Sequence, residues 1–455
     1  MEATPKRLDL WCLVLLLICA FATLVDSQQP GYINIDCGLT DPSYSDGVTK
    51  LTYVSDDQFI DTGLNVKIAS KYAVKNLISQ FLTVRSFSNG TRNCYTLKSL
   101  TAGSKYLVRA LFMYGDYDSL NKPPIFDIHL GVNYWDTFTV SSVDDPYISE
   151  IITTATSNYL QVCLINKNQG TPFISGLELR PLPTRVYADA NSTHSLVSNG
   201  RLDLGAKEYV RYPDDLFDRL WLPATSQGWK DISSRSLVQP KTDFMVPSFV
   251  MQTAVTTLST LQPLTIPWHS NNESTVFLMI LHFCEVEAST VREFYMFVNG
   301  DPVFTITPGA SPLSVPLSLT GNTTYSVSLV ASSRSRFPPL LNAFELYTIQ
   351  PNGIPTYSGD VSAIETIKKN YRVNKGWSGD PCVPTDFSWT GVNCTSDSSK
   401  NPRITALNLS YSGLTGSIIS AFGDLSALKS LDLSYNDLSG ALPTSLDQLT
   451  ALTYL

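Results

Sequence analysis

The sequence predicts a mainly β chain in which two tandem β-sandwich domains are followed by a short α/β solenoid. Three observations lead there. From Tyr32 to Thr348, short runs rich in Val, Ile, Tyr, Phe and Thr alternate with clusters of Asn, Asp, Gly, Ser and Pro, the texture of half-buried strands separated by turns. Within that stretch the first half echoes the second. Asp56-Asp57-Gln58-Phe59 returns as Asp214-Asp215-Leu216-Phe217, Phe126 returns as Phe294, and Glu178 in Gly-Leu-Glu-Leu returns as Glu345 in Ala-Phe-Glu-Leu. Beyond residue 403 a strict 24-residue period takes over, with Leu407, Leu409, Leu414, Gly416 and Ile418 mapping onto Leu431, Leu433, Leu438, Gly440 and Leu442. Matched apolar positions at one constant offset are the mark of stacked repeats.

The elements follow in order. Lys6 and Arg7 precede an uncharged apolar run from Leu10 to Val25, and Val25 and Ser27 occupy the two small-residue positions of a cleavage site before Gln28. Residues 1–27 are therefore expected to be a secretory signal peptide. No second apolar run of spanning length follows it. Residues 28–182 and 183–349 are read as the two β-domains, with a hinge near Pro181-Leu182-Pro183. Runs such as Tyr106–Phe112, Ile125–Leu130 before Gly131, and Phe294–Val298 before Asn299-Gly300 supply strands and turns. Residues 350–402 form a linker and solenoid N-cap. Asp360 is placed to cap a helix whose Val361, Ile364, Ile367 and Tyr371 recur at helical spacing, and Trp377–Cys382 and Trp389–Cys394 follow. Residues 403–455 are leucine-rich repeats, with Asn436 at the position whose amide satisfies turn backbone and Ser412 standing there in the first unit. The chain as given stops within a third strand, which is read as truncation because such ladders need at least three units.

Composition excludes some classes. Hydrophobic content of 43% against 16% charged residues is that of a folded chain. A net charge of -8 leaves no basic stripe for nucleic acid. Asn89, Asn191, Asn272, Asn322, Asn393 and Asn408 each open an N-glycosylation sequon, which agrees with the secretory route.

Ile35-Asp-Cys-Gly38, Arg92-Asn-Cys-Tyr95, Val162-Cys-Leu164, Gly176-Leu-Glu-Leu179, Arg211-Tyr-Pro-Asp-Asp215 with Asp218-Arg219, Gly379-Asp380-Pro381-Cys382 and the 24-residue repeat occur in one order across nearly the whole chain. In this the sequence resembles the plant malectin-like, leucine-rich-repeat receptor-like kinases of the symbiosis receptor-like kinase type. The resemblance implies two malectin-like domains in an extracellular region, at the plasma membrane in a full-length parent. Such a region binds a protein, peptide or glycan ligand and a co-receptor ectodomain, and precedes a membrane helix and a Ser/Thr kinase. The chain shows no Gly-rich phosphate loop and no His-Arg-Asp or Asp-Phe-Gly triplet, so phosphoryl transfer is not expected within it. The family's namesake in animals binds glucosylated glycans, but its sugar-contacting residues find no clear counterparts here. The resemblance also implies that the Gly-Asp-Pro-Cys segment is a point of cleavage or conformational control, beside the plain capping turn.

Eleven residues separate Cys382 from Cys394, a spacing suited to a disulfide that caps the solenoid and worth roughly 3 kcal/mol in loop entropy. Cys37, Cys94 and Cys163 fall in the first β-domain, and Cys37 with Cys94 is the expected pair; Cys163 and Cys284 are left open, Cys284 being read as a buried thiol. The histidines at 129, 194, 269 and 282 show no metal-ligand spacing, and no metal or cofactor is expected. Asp56-Asp57 and Asp214-Asp215 invite a glycosidase reading, but strand neighbours point to opposite faces, so turn and cap roles are expected. The aromatic loops Tyr114–Tyr117 and Tyr134-Trp135 suit a saccharide or a protein partner, with core packing the plainer reading. The solenoid's inner face should carry Ala406, Asn408, Ser410, Ser430, Asp432 and Ser434. The alternative to a receptor ectodomain is a secreted carbohydrate-binding module that recognises cell-wall polysaccharide.

Overall fold

The computed structural model describes residues 29–75, 77–236, 238, 243–287, 291–395, 397 and 400–455; the expected signal peptide 1–27 lies outside them. Between Ile33 and Pro351 the chain forms two sandwiches with the same strand order. In the first, Ile33–Asp36, Gly176–Leu182, Lys105–Met113 and Pro146–Thr154 run side by side in one sheet. Arg92–Leu97, Leu160–Gln169, Ile125–Leu130 and Asn133–Phe138 make the facing sheet. In the second, the same places are taken by His194–Leu204, Ala343–Pro351, Val276–Phe283 and Leu313–Leu319, faced by Leu264–His269, Thr324–Ala331, Phe294–Val298 and Asp301–Ile306.

Phe126 and Phe294, and Glu178 and Glu345, occupy equivalent strands. The Asp-Asp match does not hold. Asp56-Asp57 follow Thr52–Ser55, the strand parallel to Ile33–Asp36, whereas Asp214-Asp215 precede its counterpart Leu222–Ala224. The true equivalents are Asp36-Cys37-Gly38 and Asp203-Leu204-Gly205. Gly38 and Gly205 both have positive φ, and a Cβ at either would collide with a backbone carbonyl, that of Val84 or Ala254. Asp36 and Asp203 are both buried and accept from Thr83 Oγ1 (2.9 Å) and Thr253 Oγ1 (2.6 Å). Burial outweighs these bonds, raising Asp36 to about 6 and Asp203 to about 7.

The first core is aromatic: Phe126 and Phe138 stack at 4.9 Å, with Phe112 tilted against them and Phe173 edge-on. The second is more aliphatic, built on Met279, Leu281, Met296, Val327 and Leu329. Lys105–Met113 is buried along its whole length. One face looks into the core; on the other, Leu111 and Met113 pack with Phe81, while Leu107 and Lys105 lie under the connection between the halves, where Lys105 Nζ donates to the carbonyls of Val186 and Tyr187 (both 2.6 Å).

The hinge expected near Pro181 is absent. Pro181 and Leu182 lie within the strand Gly176–Leu182. Pro146–Thr154 of the first sandwich pairs directly with His194–Leu204 of the second, Ile151 opposite Val197 and Ile152 opposite Leu196. One 11-stranded sheet therefore runs through both sandwiches. Its outward side carries an ionic cluster covered by residues 209–221. Arg109, Arg180, Arg201, Arg211 and Arg219 meet Glu150, Glu178, Asp215, Asp218 and Glu345, all buried or nearly so. Arg201 bridges the halves, reaching Glu150 at 2.7 Å and Glu345 at 2.9 Å, while Arg180 and Arg211 each hold Asp218 at 2.8 Å. Burial alone would raise Glu178, but the guanidiniums of Arg180, Arg211 and Arg109 outweigh it and hold the carboxyl at about 2. The motif Arg211–Asp215 with Asp218-Arg219 thus serves the joint between the sandwiches.

In the C-terminal part, Ile404–Asn408 and Ser430–Asp432 are parallel strands with Leu407, Leu409, Leu428 and Leu431 in the core. Val392–Cys394 pairs antiparallel with the first of them and closes that end. Asn436 accepts from the N–H groups of Ser412 and Leu414 (both 3.0 Å) and donates to the carbonyl of Leu409 (2.7 Å), tying two turns together. The helix spans Ser358–Tyr371. Asp360 does not cap it. That residue lies inside the first turn, where its carboxylate takes both arms of Arg403 (2.9 Å each) and the Ile404 N–H (2.8 Å), fastening helix to solenoid. Among the described residues no helix is long and apolar enough to cross a membrane.

Candidate ligand-binding cleft

After the second sandwich the chain crosses back to the first. Residues 377–389 settle on the outward side of the first sandwich's four-stranded sheet, and the Gly-Asp-Pro-Cys turn is the point of contact. Asp380 accepts from Thr356 N (2.9 Å), Thr356 Oγ1, Cys382 N (2.9 Å) and Val383 N (3.0 Å), so a single carboxylate organises the turn. Arg92 reaches out of the sandwich to the carbonyls of Asp380 (2.5 Å) and Val383 (3.2 Å). Burial lowers this guanidinium to about 10. The Cys94 N–H donates to Ser378 Oγ at 3.1 Å. Gly379 has φ +71, and a Cβ there would stand 2.8 Å from Arg92 Cζ and 3.0 Å from Cys94 Sγ. Pro381 is buried in the turn and its carbonyl accepts from Trp389 N (2.9 Å). Trp377 and Trp389 stack at 4.7 Å beneath it.

Cys382 and Cys394 are joined. In the first sandwich the expected pairing is overturned: Cys94 is bonded to Cys163, and Cys37 and Cys284 are free buried thiols. Strand alternation is the reason. Tyr95 and Leu97 point into the core beside Cys37, so Cys94 points outward. Cys163 stands directly opposite it on the neighbouring strand and faces the same way. Cys37 and Cys94 lie on opposite sides of one sheet.

Between the first sandwich, the helix and this turn opens a cleft of about 650 Å³. Its sandwich wall carries Phe59, Asp61, Lys98 and Tyr159, its helix wall Val361, Glu365 and Lys368, and its floor is Trp377–Asp380. Lys368 lies 5.1 Å above the Trp389 ring and 3.8 Å from Glu365. Burial raises Glu365, Lys368 opposes the rise, and Asp61 adds to it. A second cleft of about 430 Å³ adjoins the first across Asp61, Lys368, Trp377 and Ser378, with Asn89 on its rim. Together they form a polar crevice with acid, base and aromatic surface on facing walls, suited to hydrogen-bonding an elongated polar ligand.

The other candidate residues are placed elsewhere. Trp135 and Tyr114 are core residues, Tyr114 edge-on to Tyr117 at 5.4 Å, which leaves only Tyr134 of those loops exposed. Asp56 is buried against Arg85 (2.8 Å) and the Tyr95 hydroxyl (2.8 Å), and Asp57 pairs with the same arginine. Asp215 accepts from Arg219 and Trp221, while Asp214 is exposed. Asn89, Asn272, Asn322, Asn393 and Asn408 are exposed and Asn191 is half-buried. The histidines are dispersed, His282 against Glu345 and His129 beneath Phe387. Among the described residues no cluster of three or more His, Cys, Asp or Glu is placed to hold a metal. Two sequence motifs meet at the cleft, Gly379-Asp380 of Gly-Asp-Pro-Cys on the floor of the first part and Arg92 of Arg-Asn-Cys-Tyr on the second, but neither signals the other walls.

These observations define a tandem malectin-like region joined to leucine-rich repeats, and the chain belongs to the malectin-like domain family. The malectin-like domain model matches residues 35–349 and a leucine-rich repeat model matches residues 402–455. Its relatives are leucine-rich repeat receptor-like serine/threonine-protein kinases of Arabidopsis thaliana. At2g19230 is 39% identical over 437 residues, covering 91% of this chain and 48% of the relative. IOS1 is 37% identical over 440 residues, covering 92% and 48%. The chain therefore spans about half the length of the curated relatives it matches. Among solved structures, the ANX2 ectodomain from Arabidopsis thaliana superposes with TM-score 0.60 at 17% identity, covering 70% of this chain and 97% of that one. A structure of the plant peptide RALF23 in complex with FER and LLG2 gives TM-score 0.57 at 16% identity, covering 71% and 96%. At those identities the likeness is one of fold.

Proposed function

We propose that this chain is the extracellular ligand-binding portion of a receptor-like Ser/Thr kinase, and that its ligand seats in the cleft between the first sandwich and the Gly-Asp-Pro-Cys turn. The observation that carries this reading is that the crevice is walled by the first sandwich on one side and by the helix and solenoid cap on the other, joined through Arg92, the Gly-Asp-Pro-Cys turn and Phe387. A ligand there touches both parts and is positioned to change how they are joined. The receptor-kinase relatives and the fold neighbour solved with a peptide and a third protein support a peptide ligand and a co-receptor as the partner classes. Exposed sequons and two disulfides fit an extracellular setting.

The test is calorimetry of the secreted protein, residues 28–455, against a panel of synthetic secreted plant peptides, in parallel with a cell-wall oligosaccharide array. Peptide binding that weakens at least tenfold on Lys98→Glu or Tyr159→Ala is expected. Saccharide binding at selective affinity with no peptide bound would instead identify a carbohydrate-binding module. The burial of Trp135 and Tyr114 takes two rings out of reach of a sugar and leaves Tyr134 of those loops exposed.

A further inference from the structure

The two sandwiches are equivalent strand for strand, yet the outward sides of their four-stranded sheets are treated differently. On the first, the Cys94–Cys163 pair, His129 and Ile165 lie beneath the 377–389 segment. Phe387 packs on both cysteines and Ile165, and its ring stands 6.0 Å from that of His129. Pairing registers give the matching positions on the second. Phe126 corresponds to Phe294, so His129, Cys163 and Ile165 become Phe297, Ser328 and Val330, and Cys94 becomes Thr265. The covalent pair is replaced by a hydrogen bond, Thr265 Oγ1 to Ser328 Oγ at 3.0 Å. Tyr295, one step along the outward face, is 41% exposed, and Pro302 opposite Phe297 and Pro267 two residues beyond Thr265 are exposed as well.

Among the described residues, the roofing segment 377–389 lies on the first sandwich, and no counterpart covers the same face of the second. We propose that the matching face of the second sandwich, Tyr295, Phe297 and Val330 around the Thr265–Ser328 pair, is a docking surface for a loop of a separate extracellular protein. That loop presents an aromatic side chain and seats as Phe387 does on the first. The molecule itself shows what such a face accepts. An aromatic ring at the Phe297 position gains an edge-to-face partner, and Tyr295 and the hydroxyl pair supply hydrogen bonds at its border. None of the five residues carries a formal charge, the composition of the centre of a protein interface. The sequon at Asn322 precedes the strand Thr324–Ala331. Counted along extended chain at about 3.3 Å per residue, Asn322 is up to about 20 Å from Ser328 and about 26 Å from Val330, beyond the opposite end of the strand from Tyr295. A second copy is a poor occupant, because its Phe387 is already seated on its own first sandwich. The proposal does not depend on the cleft.

The test uses the secreted protein and a synthetic peptide of residues 377–389 with Cys382 replaced by Ser, as a probe for the loop class. Saturable binding is expected, weakened at least tenfold by Phe387→Ala in the peptide and by Tyr295→Asp with Val330→Asp in the protein, and unchanged by Lys98→Glu in the cleft. Thermal melting of the doubly substituted protein checks that it folds, and Tyr295→Ala, which only truncates an exposed ring, gives an independent and smaller loss. No saturable binding, or binding indifferent to Tyr295 and Val330, overturns the proposal. So does sedimentation showing a dimer that the same substitutions dissociate, since the occupant would then be a second copy.

Discussion

Gly379→Ala tests whether the turn fastens the solenoid end to the first sandwich. The alanine must adopt φ near +71, and its methyl stands 2.8 Å from both Cζ and Nε of Arg92 and 3.0 Å from Cys94 Sγ. The backbone term is roughly 1–2 kcal/mol for an L-residue in the left-handed region. Moving Arg92 aside weakens its two bonds to the carbonyls of Asp380 and Val383, each worth about 1.5–3 kcal/mol for a charged donor. Even with partial relaxation, docking should lose about 3–5 kcal/mol. The sandwich cores and the leucine ladder do not touch the added group, so the loss falls on the joint. Hydrogen exchange is the assay. The N–H groups of Cys94, Cys382 and Val383 should exchange at least a hundredfold faster in the variant, while those of Lys105–Met113 and Leu431 keep their protection. Unchanged exchange at the turn, or loss spread evenly over the chain, would falsify the reasoning.

Three other outcomes are expected. Arg201→Met leaves Glu150 and Glu345 buried without the cation that bridges them, and chemical denaturation should show a loss of about 3–5 kcal/mol with both sandwiches unfolding together; a loss below 1 kcal/mol would contradict the bridging role. Asp203, raised to about 7 by burial, makes the fold most stable where it is protonated. Its contribution is intact below the unfolded value near 3.8 and is lost as pH rises through about 7, a change of about 4 kcal/mol at the limit. Asp203→Asn should therefore flatten the decline in melting temperature between about pH 4 and pH 8, and parallel profiles would refute the assignment. Peptide mapping without reduction should recover Cys94 linked to Cys163 and Cys37 as a free thiol; Cys163→Ala should cost about 4 kcal/mol from the 69-residue separation, and a Cys37–Cys94 peptide would refute that pairing.

What could be read from the residues was what repeats locally. Leu407, Leu409 and Leu414 announce the solenoid because each unit buries the same positions against its neighbour, so the period is written into adjacent sequence. The duplicated sandwich was visible through Phe126 and Phe294 and through Glu178 and Glu345. The Asp-Asp pairs misled because two acidic residues beside a strand are common, whereas Asp36-Cys37-Gly38 and Asp203-Leu204-Gly205, at the same separation as the glutamates, were the better anchor. Disulfide pairing depended on which side of a strand Cys94 faces, a property settled by the partner sheet and not by nearness in sequence. The cleft was hidden for a similar reason. Phe59, Lys98, Tyr159, Glu365 and Gly379 come from five distant stretches, and nothing in any one of them signals the others.

The strand pairing of Pro146–Thr154 with His194–Leu204 has a mechanical consequence. A load applied to the second sandwich reaches the first through backbone hydrogen bonds within a sheet, backed by Arg201, and not through a slack tether. The pair is expected to move as one body. Surfaces on its two ends keep a constant separation, so anything that grips both must match that spacing, and the compliance of the molecule is concentrated where Arg92 meets the Gly-Asp-Pro-Cys turn.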